Sequence, residues 1–209
     1  MKTVLLIARH GNTFAAGDVI TRVGARTDLP LVQSGIEQGL RLGSYLKLNN
    51  LVPDIVYTSH LMRTKQTASY ALENIGVSRT INESSLFDEI DYGIDENKPE
   101  DEVIARVGKE ALKAWDEDAK APDGWNINVQ EIINGWLEFG DKVRSEHMGQ
   151  TVLVVTSNGI ARFAPYLTGD FESFKKQHKI KLSTGALCHL VNSSASKEWE
   201  VLGWNIKPL

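Results

Sequence analysis

The chain has 209 residues, 42% of them hydrophobic, with a formal net charge of -4 and no run of five like charges, which disfavours nucleic acid and anionic membrane surfaces as partners. At this length roughly 70% of the unfolded surface is buried on folding, so a single domain over residues 1–209 is expected without disulfide or metal. No segment approaches a membrane span, "MKTVLLIARHG" is short for a secretory core, and the lone Cys188 in "ALCHLV" reads as a reduced core thiol; a cytoplasmic location is the expectation.

In chain order, an apolar run predicts a strand over 3–8, ending in "ARHGNT". Ser34 with Glu37 reads as a capping box opening a helix whose inner face carries Ile36, Leu40, Gly43 and Leu46. A strand over 54–58 leads through "YTSHLMRTKQTA" into a helix over 61–75, stopped by Gly76. The acidic loop "ESSLFDEIDYGID" precedes a helix from Pro99, whose first turn holds Glu100, Asp101 and Glu102 against the helix dipole. A helix over 129–147 and a buried strand over 151–156 follow, and the strand halts at "TSNG" before a short helix with Arg162. Strands over 186–192 and 198–204, joined by "SSASK", predict a hairpin. Alternating strands and helices imply a three-layer α/β sandwich, a mainly parallel mixed sheet with helices on both faces.

Three strand ends carry chemistry, and ligands of open α/β sheets bind at such ends. The imidazole of His10, beside Arg9, suits a nucleophile, a base or a metal ligand, against a structural histidine. Arg63, one turn beyond His60, offers a forked cation suited to phosphate or carboxylate. One of Asp88, Glu89, Asp91 and Asp95 is a candidate proton donor to a leaving oxygen. The scattered histidines show no zinc spacing. Arg22 and Arg26 are loop arginines within reach of a substrate or merely solvated. Trp115 and Trp136 read as helix-face core, and Trp125, in a loop, as a candidate ligand contact.

Together "ARHGNT", "TDLPLVQSGIEQG", "YTSHLMRTKQTA", "LFDEIDYG" and "VLVVTSNGIAR" resemble the histidine phosphatase superfamily, the phosphoglycerate-mutase-like enzymes. The resemblance implies that His10 is transiently phosphorylated, that Arg9 and Arg63 grip the phosphoryl oxygens, that Glu89 protonates the leaving group and that Thr13 helps bind phosphate. It implies a small phosphorylated substrate and no metal or organic cofactor, with residues 88–147 as a helical cap over the pocket. It leaves the oligomeric state open.

The sequence also departs from the family. Ser157 stands where a second histidine is usual, able to offer a hydrogen bond but no charge, with Asn158 beside it as a further donor. Loss of one such donor costs roughly 100-fold to 1000-fold in turnover, so attenuated activity is expected. Asn12 replaces a common glutamate or glutamine, Ala16 a phosphate-contacting asparagine and His60 a frequent proline. Without the long insertion of the glycolytic mutases, hydrolysis is favoured over mutase activity. A non-catalytic phosphate-binding relative is the main alternative. A weaker one makes Ser157 the nucleophile of a hydrolase triad with Asp170 and either His178 or His189.

Overall fold

A computed structural model describes residues 2–193 and 196–209. Six strands, β1 (Lys2–Arg9), β2 (Ile55–Thr58), β3 (Ile81–Glu83), β4 (Thr151–Thr156), β5 (Leu187–Ser193) and β6 (Glu200–Ile206), form one sheet in the order β3-β2-β4-β1-β5-β6. β1, β2, β3 and β4 run parallel, and β5 is antiparallel to both β1 and β6. The sheet is therefore mixed and mainly parallel, with the hairpin at one edge. Two residues of its connection, Ser194 and Ala195, lie outside the described residues.

Period-two alternation sends the core strands' side chains to two faces. Leu6, Ala8, Val56, Leu153 and Val155 pack under helices α1 (Gln33–Leu48) and α2 (Met62–Ile75), against Leu42, Leu46, Ala68, Ala71 and Leu72. Leu5, Ile7, Val152 and Val154 face the opposite core, where Phe87 is met by Trp136 and Phe139 of α5 (Val129–Glu146). Helices α3 (Glu100–Val107), α4 (Lys109–Asp118), α6 (Asn158–Ala161) and α7 (Phe171–Gln177) complete the regular structure with three short 3-10 turns.

Burying apolar strands on both faces is what a parallel sheet requires, and it explains why continuous runs were legible as strands. Trp136 is fully buried, its rings tilted against Phe87 and edge-on to Phe139, while Nε1 donates to Ile160 O at 3.0 Å. That bond ties α5 to the short helix at the end of β4. Trp136→Ala is expected to cost about 3–5 kcal/mol, read as a lowered urea midpoint at unchanged m-value.

Several sequence expectations are corrected. The first helix starts at Gln33, and its N-cap is Val32, with no side-chain cap. Ser34 cannot cap because the backbone N–H groups of Gly35 and Ile36 already reach Val32 O, and Val32 itself donates to Asn12 O. Its hydroxyl instead accepts from Asn12 Nδ2. The helix from Pro99 breaks at Gly108, where φ is +82°. β3 and α7 were not anticipated: three residues of mixed polarity and a seven-residue helix give no readable period. The hairpin strands begin one and two residues later than the apolar runs, with bulges between Leu187 and Leu190.

Candidate active site

The carboxyl ends of β1 and β4, neighbours in the sheet, open onto a cleft of about 780 Å³. Its lining includes Arg9, His10, Asn12, Thr13 and Ala16 after β1, Glu89 and Tyr92 from the acidic loop, Trp115 and Asp116 of α4, and Asn158 and Arg162 after β4.

His10 is 7% exposed, and Nδ1 lies 2.7 Å from Gly11 O. A carbonyl only accepts, so Nδ1 carries the proton and Nε2 keeps its lone pair. The turn is held tightly: Gly11 N donates to Thr67 Oγ1 of α2, and a Cβ on Gly11 would stand 2.4 Å from Gly35 O. Glycine is thus required where the strand end meets the first turn of α1.

Burial first, then the charges of Arg63 and Arg9, push the His10 imidazole well below its ordinary 6.5. In the unfolded chain His10 binds a proton as pH falls through that ordinary value, while the folded protein holds it neutral. Folding stability is therefore fully present above about pH 6.5 and declines as pH falls toward the folded pKa. His10→Ala should remove this part of the acid sensitivity, measured as a flatter stability profile below pH 6.5 in denaturant titrations.

Arg9 Nη1 donates to Leu182 O at 2.6 Å, and Arg63 Nη1 and Nη2 donate to Thr27 O at 2.8 Å and Gly24 O at 3.2 Å. Both guanidiniums are anchored by carbonyls, and neither forms an ion pair among the described residues. Their Nε atoms are buried without a partner, as is Ser157 Oγ. Arg63 is fully buried and does not line the cleft, although its charge is felt at His10.

Of the four acidic candidates only Glu89 lines the cleft. Its Oε1 accepts from Ile90 N at 2.9 Å and Oε2 from Gly159 N at 3.1 Å. Asp88 is taken by His60 N and Nδ1, Asp91 by Arg26, Gly93 and Asn126, and Asp95 by Arg106 and Trp125. Tyr92 lines the cleft too, and burial followed by the nearby Glu89 charge raises its phenol above the ordinary value.

The turn after β4 supplies Asn158, whose Oδ1 accepts from Leu182 N at 2.8 Å, while Ser157 is fully buried behind it and outside the cleft lining. Ser157 Oγ meets no imidazole. Asp170 caps α7 through Ser173 N and His178 stacks near Phe174, so no triad around Ser157 is assembled.

Trp125 is corrected from ligand contact to core. Its Nε1 donates to Asp95 Oδ2 at 2.7 Å and its ring packs edge-on to Tyr92 and Trp115. Asn126 N, bound to Asp91 O, pulls the loop onto that segment. Trp115 is core, as expected, but one edge also reaches the cleft.

Arg162, at the end of the short helix after β4, is a site residue that the sequence alone does not single out. It pairs through Trp115 O and Asp116, with its guanidinium 3.8 Å over the Trp115 ring, yet it also lines the cleft. Burial depresses its pKa to about 10. Its position one turn beyond the β4 end was the available signal. Of the two loop arginines, Arg22 lines the cleft and Arg26 does not.

A mainly parallel sheet that brings an imidazole and two buried arginines together is an arrangement suited to phosphate, and comparison with known proteins gives the family. The chain belongs to the histidine phosphatase superfamily (branch 1), whose family model matches residues 5–207. Members of that family are phosphatases or mutases.

A 2,3-bisphosphoglycerate-dependent phosphoglycerate mutase of Clavibacter michiganensis is 28% identical over 174 residues, covering 80% of this chain and 65% of the relative. One of the same name from Mesorhizobium japonicum is 26% identical over 190 residues, covering 88% and 90%. The chain thus spans just under two thirds of the first relative and nearly all of the second. Among solved structures, a mycobacterial glucosyl-3-phosphoglycerate phosphatase superposes with a TM-score of 0.78 at 16% identity, covering 99% of this chain and 100% of that one. At that identity the likeness concerns the fold. Since the Mesorhizobium relative has no great excess of length, the missing insertion does not by itself separate hydrolysis from mutase activity. None of the helices among the described residues is long and apolar enough to cross a membrane.

Proposed function

We propose that the protein is a metal-independent phosphatase acting on a small phosphorylated metabolite through a phosphohistidine at His10. The observation that carries this reading is a neutral imidazole, with the Nε2 lone pair left by its tautomer, near two buried guanidiniums that form no ion pair among the described residues. Phosphoryl transfer asks little else of a protein than positioning and cationic stabilisation of the equatorial oxygens.

In this reading His10 Nε2 attacks phosphorus, the ester P–O bond breaks, and Glu89 delivers a proton to the departing alcohol oxygen. Water then attacks the phosphohistidine, returning a proton to Glu89 and releasing inorganic phosphate with the imidazole restored. Arg9 holds the phosphoryl oxygens while Arg63 adds positive charge from behind the cleft wall, Thr13 and Asn12 face the phosphoryl group from the loop after β1, and Asn158 faces it from the turn after β4. Of the expected cap over 88–147, the part through α4 contributes Glu89, Tyr92, Glu100, Leu112, Trp115 and Asp116 to the wall, whereas α5 packs on the sheet and adds no lining residue.

Ser157, with a hydroxyl in place of a second imidazole, brings no charge to the transferring group, and turnover is attenuated accordingly. Hydrolysis of an aryl phosphate in the presence of a chelator tests the reading. Equal rates in the protein and in His10→Ala would remove the assignment and leave a non-catalytic phosphate-binding member. Transfer between phosphoglycerates instead of release of phosphate would favour mutase activity, the reading supported by the names of the curated relatives.

A further inference from the structure

The outer half of the cleft differs in charge from its floor. Four cationic side chains line the cleft: Arg9, Arg22, Arg162 and Lys181. Three of them pair with two carboxylates that line it too, Asp116 being shared by two of the cations. Arg22 Nη2 lies 2.6 Å from Glu100 Oε2, Lys181 Nζ lies 2.6 Å from Asp116 Oδ2, and Arg162 Nη2 lies 3.7 Å from Asp116 Oδ1. Among the described residues, Arg9 alone of the four takes part in no ion pair.

Each outer pair is held in place by more than its own attraction. Arg22 is stacked over the Tyr92 and Trp125 rings and is 13% exposed in its side chain. Arg162 is 1% exposed and clamped between Trp115, Asn158 O and Asp116. Between these pairs the wall is apolar, formed by Ile20, Val23, Leu112 and Trp115.

A substrate with a second anion would therefore meet Asp116 or Glu100 beside each of Arg22, Arg162 and Lys181, and would give up its hydration for cations it must share with a nearby carboxylate. An uncharged ring would instead cover apolar surface.

We propose that the cleft selects phosphate monoesters of an uncharged, ring-bearing alcohol and discriminates against phosphorylated carboxylic acids. The inference rests on the phosphatase reading and specifies its substrate class. Phosphoglycerates fall in the disfavoured class. Asp116 and Glu100 are then the residues that set specificity, acting by matching the cations that an acidic substrate would otherwise use.

Phenyl phosphate and 4-carboxyphenyl phosphate test this as a matched pair, sharing a ring and differing in one carboxylate. The expected result is kcat/KM higher for the uncharged ester by roughly tenfold, the scale of one unfavourable charge contact near a protein surface. Asp116→Asn, which frees Lys181 and Arg162, should move that ratio roughly tenfold toward the carboxylated ester, and Glu100→Gln should move it the same way.

Equal efficiency on both esters in the unaltered protein, or a ratio that neither variant moves, overturns the proposal. Calorimetric affinities of His10→Ala for the two esters read the same preference without turnover. Loss of selectivity with His10-dependent hydrolysis intact counts against this inference alone. Selective binding without His10-dependent hydrolysis counts against the phosphatase reading instead.

Discussion

His10→Ala is expected to lower hydrolysis of an aryl phosphate by roughly 10⁴-fold or more, because removal of a covalent nucleophile leaves only binding and electrostatic stabilisation. The geometry makes the effect specific. Nδ1 is committed to Gly11 O, so the only ring nitrogen with a lone pair is Nε2. Burial first, then the charges of Arg63 and Arg9, disfavour the imidazolium and so keep that lone pair available well below the ordinary imidazole range.

The complementary measurement is a rapid quench. The unaltered protein should carry an acid-labile, base-stable phosphoryl group on the peptide containing His10, and the variant none. A chelator should leave the rate unchanged. Among the described residues no three His, Cys, Asp or Glu side chains are grouped to hold a metal ion.

The second large effect concerns proton delivery. A Cβ on Gly159 would lie 2.2 Å from Glu89 Oε1, and the Gly159 N–H is the donor to Oε2. Gly159→Ala must therefore push the carboxylate off its two backbone donors without touching His10.

We expect Gly159→Ala and Glu89→Gln each to reduce hydrolysis of an alkyl phosphate by roughly 100-fold or more, the usual worth of a positioned general acid. Hydrolysis of a nitrophenyl phosphate should fall by less than about tenfold, since its leaving oxygen departs without a proton. That split distinguishes a lost proton donor from a collapsed pocket. Equal losses on both substrates would assign Glu89 and Gly159 a structural role only.

Much of the architecture could be read from local pattern because local physics sets it. The runs over 3–8 and 151–156 are strands since a parallel strand buried on both faces needs unbroken apolar sequence, and both appear within a residue of the expected limits. Gly76, left-handed at φ +82°, ends α2 where the sequence stopped it. Two short elements are not legible, because their stability comes from neighbours: β3 exists through its pairing with β2, and α7 through the burial of Phe171 and Phe174.

The residues of the site were legible as types at strand ends; which of them meet was not. By itself the sequence determined the α/β alternation and the family, and its resemblance to that family pointed to His10, Arg9, Arg63 and Glu89. Only the tertiary structure shows Glu89 on the cleft wall with Asp88, Asp91 and Asp95 away from it, each of those three bound by a partner distant in sequence. It drew Trp125 into the core through Asp95, 30 residues away, and brought Arg162 to the cleft wall. It also placed Ser157 behind the lining, with a buried hydroxyl that meets no partner among the described residues. Charge matching between Arg22 and Glu100, or Lys181 and Asp116, spans more than sixty residues of chain. Local pattern carries no information at that separation, since such pairs are set by how the layers of the fold are stacked.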